Sequence, residues 1–156
     1  DKASAFILLE VLKYLKENNI TPNHNLTFIF STYEEVGHGA ANIPNVDELI
    51  AVDMGCIGSD LSCTEEMVSI CAKDSSGPYD YDLTSSLISL AKENELKYAI
   101  DIYPFYGSDA SAALRGGNDI KCALIGAGIA ASHGMERTHL NGIYNTYKLI
   151  LAYINK

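Results

Sequence analysis

The 156-residue chain is long enough for one domain with a sizeable core, and 47% hydrophobic against 20% charged residues reads as globular rather than disordered. A net charge of -9, with no basic patch to offset it, argues against a nucleic-acid or anionic-membrane partner. No window approaches the roughly twenty apolar residues of a membrane span and no secretory signal is evident, so a cytoplasmic location is expected.

The chain opens abruptly at Asp1-Lys2-Ala3, without an initiator Met and at the edge of an amphipathic helix, so it is expected to be a piece of a longer protein. Ala5, Leu8, Leu9, Leu12 and Leu15 follow helical spacing, with Lys13 and Lys16 toward the end where cations suit the helix dipole. Phe6, Ile7 and Val11 make the first half apolar nearly all round, which predicts a well-buried helix ended by Asn18-Asn19 and Pro22. Leu26 to Thr32 reads as a strand and Gly37 to Asn45 as a loop, with His24 in the preceding turn and His38 in that loop. Leu49 to Asp53 reads as a short apolar strand buried on both faces. Met67 to Ala72 reads as another strand, and Ser75-Ser76-Gly77-Pro78 as a break.

Leu83, Leu87, Leu90 and Ala91 mark a second helix running to about Asn94, and Tyr98, Ile100 and Ile102 alternate as a strand. Ser108-Asp109 predicts an N-cap for a short helix over Ala110 to Leu114, stopped by Gly116-Gly117. Lys121 to Ile125 is expected as a strand and Gly126 to Ser132 as a small-residue loop giving backbone clearance. Leu140, Ile143, Tyr144, Tyr147, Ile150 and Leu151 form a final helix opened near His139. The alternation of helices and strands predicts an α/β fold with a largely parallel central sheet. Cys56, Cys63, Cys71 and Cys122 show no paired spacing and are expected as buried free thiols.

In such sheets, ligand sites gather beyond the carboxyl ends of strands. Glu34-Glu35 follows the run ending at Tyr33, Asp53 ends the next apolar run, and His133 follows the loop after Ile125. Adjacent carboxylates repel, and a fold most often tolerates them when a cation sits beside them. Carboxylate and imidazole ligands suit zinc, cobalt or manganese, whose bound water becomes acidic near neutrality. A second carboxylate can then take the water's proton as general base.

Tyr33-Glu34-Glu35-Val36-Gly37, Ala51-Val52-Asp53-Met54-Gly55, Gly107-Ser108-Asp109-Ala110 and Ser132-His133-Gly134-Met135-Glu136, in this order, resemble the dinuclear-metal aminopeptidases of the glutamyl and tetrahedral aminopeptidase group. Some members of that group carry an old cellulase label. The resemblance covers nearly the whole chain, as the C-terminal portion of the catalytic domain. It implies an incomplete three-layer sandwich of zinc-peptidase type and peptide substrates. It further implies two divalent ions, zinc or cobalt, in the full-length protein, and a homo-oligomer. By the resemblance, Glu34 would be the general base, Glu35 would bind one metal with His133, and Asp53 would bind the other. Asp109 and Glu136 would support the site residues or the fold, without a catalytic role.

The chain departs from the family pattern at its start. By the resemblance, the bridging aspartate lies two residues before a basic residue; with Lys2 in that place it would precede Asp1, which aligns with its neighbour, so the bridging ligand is expected to be lost, with an imperfect substitution by Asp1 left open. A histidine ligand and an inserted dimerisation domain would also lie upstream. This chain alone is therefore expected to bind metal weakly and to show little activity. It should also expose a sheet edge prone to self-association. A related deacylase or carboxypeptidase, or a non-catalytic subunit keeping the fold, is the alternative. A glycosidase is disfavoured because its two carboxylates must face each other across a sugar bond.

Overall fold

The computed structural model describes residues 1–156 and has four helices and five strands. They are α1 (Lys2–Glu17), β1 (Glu48–Cys56), β2 (Val68–Asp74), β3 (Gly77–Pro78), α2 (Tyr81–Glu93), β4 (Tyr98–Ile102), α3 (Asp109–Arg115), β5 (Lys121–Ile129) and α4 (Leu140–Ile154). Each helix starts at a side-chain cap. Asp1, Asp80, Ser108 and His139 accept from the first-turn amides that have no intrahelical partner.

The strands form one sheet in the order β1-β5-β2-β3, with β4 on β2. The sheet is mixed rather than largely parallel. β1 with β5 and β2 with β4 are parallel, whereas β2 runs antiparallel to both β5 and β3. The cause lies in the connections. β2 follows β1 through a loop without a helix, so the chain returns in the opposite sense, and β5 later enters between them. Parallel neighbours require a crossover, which α2 supplies between β2 and β4. Hydrophobic periodicity is the same in either direction and does not report it.

Ala123 and Ile125 face the main core, which α1, α2 and α4 complete through Ile7, Val11, Leu87 and Leu149. Cys122 and Leu124, alternating with them, face a smaller cluster with Tyr79, Tyr103 and Ala110 of α3. Helices therefore cover both faces of the sheet. All four cysteines are buried and unpaired.

Four local expectations are corrected. Leu26 to Thr32 forms no strand: Leu26 and Phe28 pack on the core, but the segment joins no ladder, and β propensity without a partner does not make a strand. The strand expected at Leu49 to Asp53 extends from Glu48 to Cys56 and is mostly half-buried, because β1 has a neighbour on one side only. The expected loop from Gly126 is strand as far as Ile129. On α1 the buried stripe is Ser4, Ile7, Val11 and Leu15, while Phe6 and Leu9 are exposed.

Gly126 pairs with Asp53 across the β1–β5 ladder, and a Cβ there would lie 2.0 Å from the Asp53 carbonyl oxygen. Only glycine lets these strands approach, so the glycine expected to give clearance does so inside the sheet. Gly126→Ala is expected to destabilise the chain by about 3 kcal/mol or more, since backbone cannot yield as a side chain can. Urea unfolding with unchanged m-value checks it.

Candidate metal centre

Glu34, Glu35, Asp53 and His133 all line one open cleft of about 1070 Å³, with Lys2, Tyr106 and Arg115. The acidic pair lies on a single 3₁₀ turn, Glu34–Val36. Gly37 closes that turn at φ 76°, in the left-handed region that glycine adopts without strain, and its amide donates to the Glu34 carbonyl at 2.8 Å. The turn, rather than strand alternation, sets the two carboxylates in different directions. Glu34 is half-buried and Glu35 is exposed. His38 stacks on Tyr33 at 4.8 Å, a loop contact behind the pair.

Asp53 lies inside β1 rather than beyond its end. One carboxylate oxygen accepts the Met54 amide at 2.8 Å. The Ser4 hydroxyl lies 2.8 Å from both the Asp53 carbonyl oxygen and the Asp1 carboxylate, and its one proton serves one of them at a time. Asp1 thus acts as the cap of α1, with its other carboxylate oxygen accepting the Ser4 amide at 3.1 Å.

His133 sits in the loop between β5 and α4. The loop is closed by paired backbone bonds between Ala130 and Arg137, at 2.8 and 3.1 Å. Ala131 and His133 both adopt left-handed backbone, φ 58° and 61°, a conformation that costs energy for any residue with a Cβ. Glu136 helps to hold it by accepting the His133 amide at 3.1 Å. Tyr106 stacks beside the imidazole at 6.3 Å. Sequence reasoning gave Tyr106 no role, and the only signal for it is an aromatic in the loop between β4 and α3.

His133 Nδ1 lies 3.8 Å from Glu35 Oε2. Two ligands of one tetrahedral zinc, each about 2.1 Å from the metal, are separated by about 3.4 Å, so this pair fits two positions on one centre. Asp53 lies within range of the Glu34 and Glu35 charges. No three His, Cys, Asp or Glu side chains are gathered closely enough to hold an ion among themselves.

The charge balance also favours a cation. Burial, then the Glu35 and Asp109 carboxylates, raise the Glu34 pKa. Burial, reinforced by Glu34, pushes Asp53 up to about 6. Folding without a cation therefore favours protonated Asp53, so its contribution to stability is complete below about pH 4 and is lost as pH rises through about 6. Thermal melting of the chelator-treated chain from pH 4 to 7 should show this loss, and Asp53→Asn should flatten it.

The profile of the M42 glutamyl aminopeptidases matches residues 1–149. The chain is 46% identical over 156 residues to YhfE of Bacillus subtilis (strain 168), whose own aminopeptidase assignment is provisional. The match covers 99% of this chain and 45% of YhfE. Among solved structures, the dodecamer PhTET1-12s superposes with a TM-score of 0.84 at 28% identity, over 100% of this chain and 48% of that one. The Pyrococcus horikoshii TET1 peptidase, which can assemble into a tetrahedron or a large octahedral shell, gives 0.65 at 27% identity over 76% of this chain and 37% of that one. The chain thus spans about half the length of these relatives. The chain therefore belongs to the M42 glutamyl aminopeptidase family.

Proposed function

We propose that the chain is the C-terminal portion of the catalytic domain of a metal-dependent aminopeptidase, which removes N-terminal residues from peptides and works as a homo-oligomer when full-length. The observation that carries this assignment is the 3₁₀ turn bearing Glu34 and Glu35 on the same cleft as Asp53 and His133, with Glu35 Oε2 3.8 Å from His133 Nδ1. Family membership and the assemblies formed by the TET relatives support it.

In this assignment Glu35 and His133 would hold one divalent ion, zinc or cobalt, and Asp53 would hold a second. Bound there, the ions supply Lewis acidity that makes water nucleophilic near neutral pH. Glu34 accepts a proton from the attacking water as its oxygen bonds to the scissile carbonyl carbon. It delivers that proton to the departing amine nitrogen as the C–N bond breaks. The raised pKa of Glu34 suits both halves of that transfer, because a carboxylate nearer neutrality gives the proton back more readily. The Ser4 hydroxyl at the Asp53 carbonyl and the Met54 amide at its carboxylate hold Asp53 in place.

In the full-length protein, Glu34→Gln should lower kcat on free-amino-terminal peptides by about 10²- to 10⁴-fold while leaving metal content unchanged. Chelation should abolish activity and added Zn²⁺ or Co²⁺ restore it. N-acyl amino acids should be poor substrates, and preferential cleavage of them would favour a deacylase.

A further inference from the structure

The candidate site residues are held in unequal ways. Asp53 is fixed by β1, and His133 by the closed loop after β5. Glu34 follows a segment that belongs to no sheet. Leu26 and Phe28 anchor the start of that segment by packing, but the backbone bonds around Glu34 are local, from Gly37 to Glu34 and from His38 to Tyr33. The backbone bonds from Leu26 to Gly39 stay within the segment and its continuation to Ala41, and one hydrogen bond reaches a distant part of the molecule: the Ser31 hydroxyl donates to Asp109 Oδ2.

Asp109 is well placed to act as an anchor. It is the first residue of α3, where a carboxylate is favoured by the helix dipole. Ser108 before it is buried and caps the helix, and its hydroxyl lies 2.7 Å from the Tyr79 hydroxyl. Tyr79 in turn donates to the fully buried Asp74 at 2.8 Å. This chain of bonds ties the start of α3 to β2.

The second carboxylate oxygen, Asp109 Oδ1, is buried without a hydrogen-bond partner. A Cβ on Gly39 would meet this oxygen at 3.0 Å, the Glu34 amide nitrogen at 3.1 Å and the Ser31 Cβ at 3.1 Å. The carboxylate, Ser31 and the backbone of Glu34 therefore converge on the space that glycine leaves open. An unpaired buried oxygen is costly, and an approach of the Glu34 amide or a trapped water would satisfy it.

We propose that Asp109 is a positioning residue: through Ser31 and the space before Gly39, it fixes the turn that aims the Glu34 carboxylate at the attacking water. The role rests on Glu34 being the general base and is distinct from metal binding. It gives Asp109 a specific task at the general base, where the resemblance implied a supporting or structural place.

The test is a set of kinetic cycles in the full-length protein, with Asp109→Asn, Ser31→Ala, Ser31→Thr and Glu34→Gln. Asp109→Asn should lower kcat about 10- to 100-fold, as small misplacements of a reacting group do, with KM within about twofold and metal content unchanged. Ser31→Ala should lower kcat in the same way, and Ser31→Thr, which keeps the hydroxyl, should retain most of it. In the Glu34→Gln background, Asp109→Asn should cost less than about twofold, because the group it positions is gone. An equal loss in both backgrounds, or a loss of metal with the loss of rate, overturns the proposal. If Asp109→Asn does not fold, Ser31→Ala in the two backgrounds decides by the same criterion. If Glu34→Gln itself leaves kcat within twofold, the general-base assignment falls, and the role of Asp109 falls with it.

Discussion

Confinement of like charge is the constraint on which this molecule turns. Glu34, Glu35 and Asp53 share one cleft, and their mutual repulsion adds to the cost of burying two of them. His133 faces Glu35 from the loop after β5 and Lys2 and Arg115 also line the cleft, yet Glu34 and Asp53 are still held above the usual carboxylate range. Sequences bent only on stability would replace such a group with amides or apolar residues. Its presence makes sense if the cleft is built for a cation, which turns the same repulsion into attraction.

The scaffold meets that constraint with two kinds of support. The β1–β5 ladder places Asp53 opposite Gly126, and the loop leaving β5 brings His133 to the cleft in a left-handed conformation secured by Glu136. The acidic turn is held differently, by its own local hydrogen bonds and by the Ser31–Asp109 bond from outside the sheet. Precision at a reacting centre needs side chains locked by their surroundings. The weakly supported segment is therefore where a polar anchor matters most, and α3 provides it.

Much of this was legible in the residues, and the limits have physical causes. α2, α3, β4 and α4 emerge near their expected places because their caps and periodicity are local signals: Ser108 and His139 do cap helices, and Tyr98 to Ile102 is a strand. Properties set by distant partners were not legible. Leu26 to Thr32 has strand composition and no ladder, Phe6 and Leu9 are apolar yet exposed, and β2 runs against β5. The site follows the same division. Acidic and imidazole residue types marked Glu34, Glu35, Asp53 and His133, whereas the tie from Ser31 to Asp109 spans 78 residues and leaves no local trace.

The most direct test of the central claim is calorimetric titration of Zn²⁺ into the metal-free full-length protein and its Glu35→Ala variant. The account requires two equivalents bound by the parent and loss of one in the variant. Identical binding by both, or none by the parent, would contradict it and leave the carboxylates and His133 without their cation.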